Sequence, residues 1–531
     1  MSSSAVLGFF FFTILVAVIS YFKTRKNKIN STAALFFANR SNGYLIVGGS
    51  LFLSNISANQ FIGENESVYV NNMSVIGWGI TSVLAMLIVA EFFLPIYLKT
   101  GISTIPDFLE KRYDKGTRTL VTLIFLLSYL INLLPPVLYG GAVAFTGLFD
   151  IAGYLHISYW QSIWVMVWGI GTVGCLYSIL GGFRAISVSD SLLGFCMFAI
   201  AILLPYYGLK HFGDGDIRTG LNIVLSSKKG HLNAIGGKGD ALPFSTLFTG
   251  MIIVNLYYWG MEQYIVQQAL AARSLKDSQK GIAIACLAKL LSPLLINLPG
   301  LIGVHLYPSL SNTAEVFPLV VRDTLPPLLI GLTAAIVMGA AITTFNAGLN
   351  SSSTLFVLNL YKPYQEKRGK IIPELKLIRI SRIFQFLISF LAMIFAPFII
   401  FANQGFYTYL QRVSGIFSVP IFTIVFLGFV TKTTSPVAAR AGLFFFIICY
   451  CLSQFIFPVK IHYLHVLGLL FILTSCVILI ISYFYPLKTP YVMQIQNQVK
   501  LQPWKNRYYY GAILLLLMLM VFFVFSTYGF A

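Results

Sequence analysis

Ser54-Asn55-Ile56-Ser57-Ala58-Asn59-Gln60-Phe61-Ile62-Gly63-Glu64 interrupts a chain otherwise written for lipid. It follows the apolar run Tyr44 to Leu53 with no turn signal between them. In hydrocarbon its hydroxyls, amides and carboxyl each need a hydrogen-bond partner, so the segment must face protein or a water-filled cavity. Broken helices near the bilayer midplane are a common way of building solute and ion sites. The stretch therefore points to a polytopic helical protein and marks its first candidate site.

The surrounding composition fits this reading. The 531 residues are 57% hydrophobic and 10% charged, where a soluble domain typically carries about 25% charged residues. Charges cluster between apolar runs of roughly 20 residues, the length of a helix that crosses a bilayer. The fold class is all-α, with about fourteen spans. They are predicted at 5–22, 45–66, 74–98, 118–147, 158–182, 186–208, 244–268, 280–305, 327–360, 378–402, 405–430, 438–457, 463–485 and 509–529. Little chain is left for a soluble domain. The run Val6 to Phe22 has its basic flank after it and no small-residue cleavage pattern, so it reads as a retained span.

The net charge, 36 − 17 = +19, would suggest nucleic acid in a soluble protein. Here it reflects basic loops that set orientation against the lipid bilayer, and no nucleic-acid partner is expected. Lys23 to Lys28, Glu110 to Lys115, Arg273 to Lys280, Lys362 to Arg379, Lys432 to Arg440 and Lys500 to Arg507 all fall on one side if both termini lie outside. The longer loop holding Lys228 and Lys229 breaks the pattern. The six cysteines lie within apolar runs without metal-ligand spacing and read as small buried hydrophobes.

Spans two to six (45–208) and seven to eleven (244–430) form two units of five, and an odd number of spans gives them opposite orientation. Residues 1–44 add a helix before them and 431–531 add three after. The opening interruption lies in the first helix of the first unit. The matching helix of the second unit carries Asn255-Leu256-Tyr257-Tyr258-Trp259-Gly260-Met261-Glu262-Gln263-Tyr264, again polar and glycine-interrupted. Paired interruptions in corresponding helices point to a midplane site.

Intramembrane ionisable residues are few: Glu64, Glu66, Glu91, Asp190, Glu262 and Lys289. Lys289 lies near the middle of its span and is the least able to snorkel. It is read either as a paired packing lysine or as a donor to a solute hydroxyl. Glu91 lies near a helix end and reads as a packing residue. Thr343-Thr344 follow Ala340-Ala341-Ile342 in a helix rich in small residues, where hydroxyls often bond back to their own helix. The same hydroxyls, with carbonyls freed at Leu53 to Ile56, would also suit a hard cation that takes oxygen ligands.

The motifs together resemble the sodium–solute symporters, especially the branch of bacterial sodium/galactose cotransporters. The likeness is carried by Asn55 to Gly63, Phe93-Leu94-Pro95-Ile96-Tyr97, Thr104-Ile105-Pro106 and Tyr177-Ser178-Ile179-Leu180-Gly181-Gly182 with Asp190. Asn255 to Gly260, Leu270-Ala271-Ala272 and Gln279-Lys280-Gly281 extend it over essentially the whole chain. The resemblance implies a LeuT-like five-plus-five inverted repeat with one extra N-terminal and three extra C-terminal helices. It also implies sodium-driven uptake of a sugar or related polyol by alternating access. Its solute-site polar groups would be Asn55, Gln60, Ser82, Asn255, Lys289 and Gln411. Tyr258 would be the inner gate with Trp259 beside it, and Trp78 and Tyr407 would take aromatic places in the site and outer gate.

Na+ would be held by the carbonyls of Leu53, Ile56 and Ala340 and the hydroxyls of Thr343 and Thr344. Asp190 would stand on the inward sodium route, and one sodium per solute is expected because Asn346 and Ala347 stand one turn further on. The chain departs from the family at Gly79, where a sugar-binding glutamate is missing. Glu64, one turn after Gln60, is a candidate replacement, or else a water-exposed vestibule carboxylate. Another solute (a sialic acid, an organic acid or an amino acid) is the alternative transport reading, and a membrane transferase is the competing class. No acid/base pair supports the transferase, so the chain is not expected to be an enzyme. The expected setting is the cell membrane, with a monomer sufficient for transport.

Overall fold

The computed structural model describes residues 3–24, 31–401, 406–493 and 501–531. Among them the ordered elements are helices, with one isolated backbone bridge between Asn42 and Ala272. Eleven helical segments are long and apolar enough to cross a bilayer. The pair Tyr44–Asn55 and Ala58–Val70, bent by 54°, makes a twelfth if it is one span. This is a multi-pass membrane protein. Residues 159–212 form one helical run containing two crossing lengths, Tyr159–Gly181 and Ile186–Phe212.

Two expected spans have a different character. Gly250–Gly260 and Gln263–Leu270 are each too short to cross alone. Leu275–Ile296 has the length of a span but carries Lys276, Asp277, Lys280 and Lys289.

Pro327–Leu355 is the buried centre of the molecule and packs on Ser3–Thr24, Leu134–Phe149 and the long 159–212 run. Its small residues allow that closeness, since Gly141 lies against the Cβ of Ala341. Arg507–Val524 is peripheral and presents Leu516, Leu519 and Phe523 to the lipid side. Tyr44–Asn55 seats directly on Leu275–Ile296. A Cβ at Gly48 would lie 2.9 Å from the Gly281 carbonyl, and one at Gly281 2.7 Å from Val47. Any larger residue at either glycine would push these helices apart.

The two interrupted helices are tied to each other at one end. Asn42 N–H donates to Ala271 O and Arg273 N–H donates to Asn42 O, both at 3.1 Å. The residues just before Tyr44–Asn55 and just after Gln263–Leu270 are thereby joined.

Four stretches wind as π-helix: Val89–Phe93, Tyr129–Leu133, Phe356–Tyr361 and Leu452–Ile456. Each precedes a proline, namely Pro95, Pro135, Pro363 and Pro458. A proline lacks the N–H that would close the preceding turn, so the helix widens there.

Candidate functional site

The predicted interruption is a true break. Ile56 and Ser57 are extended, and they separate Tyr44–Asn55 from Ala58–Val70. Among the described residues no backbone N–H reaches the carbonyls of Leu53 or Ser54. The second interruption breaks at Met261 and Glu262, where both N–H groups converge on the Tyr257 carbonyl at 2.7 and 2.9 Å.

Between the breaks lies a cavity. Asn55, Gln60, Trp78, Ser82, Asn255, Tyr258, Trp259, Lys289, Tyr407 and Gln411 all line it. Residues from opposite ends of the sequence thus share one chamber. Asn55 Nδ2 donates to the Tyr258 hydroxyl at 3.0 Å, and that hydroxyl lies 2.7 Å from the Tyr264 hydroxyl. Asn255 donates to Thr81 at 3.1 Å, whereas Ser82 donates back to Gly79 O in its own helix. The amide oxygens of Asn55, Gln60 and Asn132 are buried and receive no hydrogen bond.

Three lining residues escaped the sequence reading, Ser128, Tyr129 and Asn132, while Tyr257 and Tyr264 entered it only as part of the second interruption. Glu262 stood out there as an intramembrane charge within that interruption. It also lines the cavity, accepting from Tyr129 at 2.6 Å and Tyr257 at 2.9 Å. The available signal was Pro135-Pro136, which forces the π turn that carries Tyr129 and Asn132.

Glu64 is not among the lining residues, although it is only 6% exposed. It faces Asn297, Gln60 and Tyr407, with Lys289 as the nearby positive charge. No ion pair joins Glu64 to Lys289 among the described residues. Both amide atoms of Asn297 are buried and unbonded.

Of the expected sodium ligands, Thr344 lines the cavity and its hydroxyl approaches the Ser54 carbonyl at 3.4 Å. Thr343 and Ala340 are buried on the same central helix. Ile56 is the extended residue of the break itself. Asp190 is fully buried. Its Oδ2 lies 3.1 Å from Ser50 Oγ and 3.5 Å from Ser54 Oγ, while its Oδ1 is unbonded. Gln268 links this cluster to the second broken helix through Ser54 at 3.1 Å and Ser50 at 2.7 Å. This donor set, rich in hydroxyl and carbonyl oxygens, suits an alkali cation.

The sodium:solute symporter family model matches residues 35–444. The uncharacterized symporter YidK of Escherichia coli K12 is 38% identical over 506 residues, covering 95% of this chain and 88% of that protein. The sodium/glucose cotransporter of Vibrio parahaemolyticus is 29% identical over 462 residues, covering 81% and 82% respectively. The substrate-bound, outward-open structure of a Na+-coupled sialic acid symporter superposes with a TM-score of 0.77 at 17% identity, covering 94% of this chain and 99% of that one. It shares the fold. The chain belongs to the sodium:solute symporter family. It is a sodium-coupled transporter of a small solute and not an enzyme.

Proposed function

We propose that this member of the sodium:solute symporter family imports a neutral polyhydroxylated solute, a monosaccharide or a polyol such as inositol, by alternating access. One observation carries the choice of solute. The amide oxygens of Asn55, Gln60 and Asn132, three residues that line one cavity, are buried without a donor among the described residues. A buried acceptor left unpaired costs about 1–3 kcal/mol. Hydroxyls satisfy acceptors, whereas a carboxylate brings only more of them. Trp78, Tyr258 and Trp259 supply the apolar faces that cover the C–H surface of a ring.

A second reading, an acidic sugar, is favoured by Lys289, a cation in the same cavity without an ion-pair partner among the described residues. The sialic acid carried by the structural neighbour belongs to that class. Glu64 would oppose it, because a solute carboxylate beside Lys289 would meet this carboxyl as well.

In this scheme sodium is held by the carbonyls of Leu53, Ile56 and Ala340 with Thr343 and Thr344, and Asp190 lies on its way inward. Sodium and solute share one unwound segment, so each stabilises the geometry the other needs. Residues 45–208 and 244–430 would be the two inverted units. The basic loops favour the cell membrane with both termini outside.

Tracer uptake into sealed proteoliposomes is the test. An inward sodium gradient should drive electrogenic uptake of a sugar or polyol from a mixed panel. Uptake of acidic solutes alone would exclude the polyol reading, and uptake indifferent to sodium would exclude the coupling scheme.

A further inference from the structure

A second, open-sided cavity adjoins the first across the helix Phe406–Val430, and Asn132 and Leu410 line both. Among the described residues its lining contains no aspartate or glutamate and one cation, Arg412. Arg412 has no ion-pair partner among the described residues, and its Nε is buried without a hydrogen bond. Its guanidinium lies 6.0 Å above the ring of Tyr463, a contact that gives the Nε–H no acceptor. Gln454, on the π turn Leu452–Ile456, is 7% exposed and its Nε2 is likewise buried and unbonded.

The rim has the opposite chemistry. Phe398, Phe401 and Phe455 line the cavity and are 52%, 68% and 44% exposed. On a multi-pass protein such side chains face acyl chains. Arg412 lies about two turns from the start of its helix, and a long cationic side chain near a helix end can reach toward head groups. An occupant must therefore offer acceptors and negative charge to the base and hydrocarbon to the rim. A soluble sugar offers acceptors but no hydrocarbon for the rim.

We propose that this cavity is a binding site for a phospholipid with an anionic head group, Arg412 and Gln454 donating to its phosphate oxygens. The bound lipid then braces the helix that presents Tyr407 and Gln411 to the solute, through the shared wall at Asn132 and Leu410.

Native mass spectrometry of the purified full chain, loaded with phosphatidylglycerol or phosphatidylcholine, tests the site. Wild type should retain the anionic lipid preferentially. Arg412→Gln should weaken that retention about fivefold, the factor for one basic group at an anionic lipid surface. Lys460→Gln, exposed and outside the cavity, should leave it unchanged. Gln454→Leu should weaken it too, which keeps the test valid if Arg412→Gln does not fold. In proteoliposomes, sodium-driven uptake should rise with anionic lipid content for wild type and not for Arg412→Gln. Equal retention by wild type and both cavity variants would overturn the site. Displacement by glycerol phosphate with no lipid preference would assign the cavity to a free phosphate and overturn the lipid.

Discussion

Asn55 and Tyr258 join the two broken helices across the cavity, the asparagine amide donating to the tyrosine hydroxyl at 3.0 Å. The same hydroxyl lies 2.7 Å from that of Tyr264. One phenol therefore links both breaks and closes one side of the chamber.

Tyr258→Phe keeps the ring and removes both links. A neutral hydrogen bond is worth about 1 kcal/mol, a factor of roughly five. Solute efflux from preloaded proteoliposomes should accelerate by about that factor. Efflux unchanged from wild type would remove Tyr258 from the gate.

Thr344→Ala removes a hydroxyl that faces both the cavity and the Ser54 carbonyl. The sodium concentration for half-maximal uptake should rise about tenfold, as expected for losing a contact to a charged group. Thr344→Ser should restore it. An unshifted sodium requirement would place the ion elsewhere.

Asn132→Leu removes a buried acceptor that no protein group satisfies. Binding of a polyol at saturating sodium, followed by calorimetry, should weaken about fivefold. Improved binding would mean that the amide oxygen has no role toward the solute.

Glu64→Gln tests the carboxyl that the chain carries one turn beyond Gln60. If Glu64 accepts a solute hydroxyl, apparent affinity should fall about tenfold at saturating sodium. Unchanged uptake and affinity would leave Glu64 as a wall residue.

Arg112 is 1% exposed and donates to the carbonyls of Gly428, Thr431 and Thr434 at 2.9, 3.0 and 3.1 Å. It ties Ile105–Arg112 to the end of the Phe406–Val430 helix. Arg112→Leu leaves those carbonyls unpaired and should cost about 3 kcal/mol of stability, read by thermal unfolding in detergent. Arg112→Lys should recover part of that loss.

Much of this molecule was legible in its residues because the bilayer narrows the choices. Apolar lengths, basic loops and two polar interruptions are local features, and hydrocarbon leaves unpaired backbone few alternatives. The breaks at Ile56–Ser57 and Met261–Glu262 fall where the sequence expects them. The residues expected at a solute site through motif resemblance line one cavity, whereas Glu64, suggested by its spacing from Gln60, does not.

The sequence by itself determined the membrane class, the broken helices and the chemical types that surround the site. Only tertiary structure decided which polar atoms remain unpaired. Asn132 is an ordinary helical asparagine until the π turn before Pro135 aims it inward, and Ser82 is a cavity hydroxyl until it donates to Gly79. Hydrogen bonding is saturable and directional. Whether a group is free for a solute thus depends on which neighbour, often two hundred residues away, has already taken its partner.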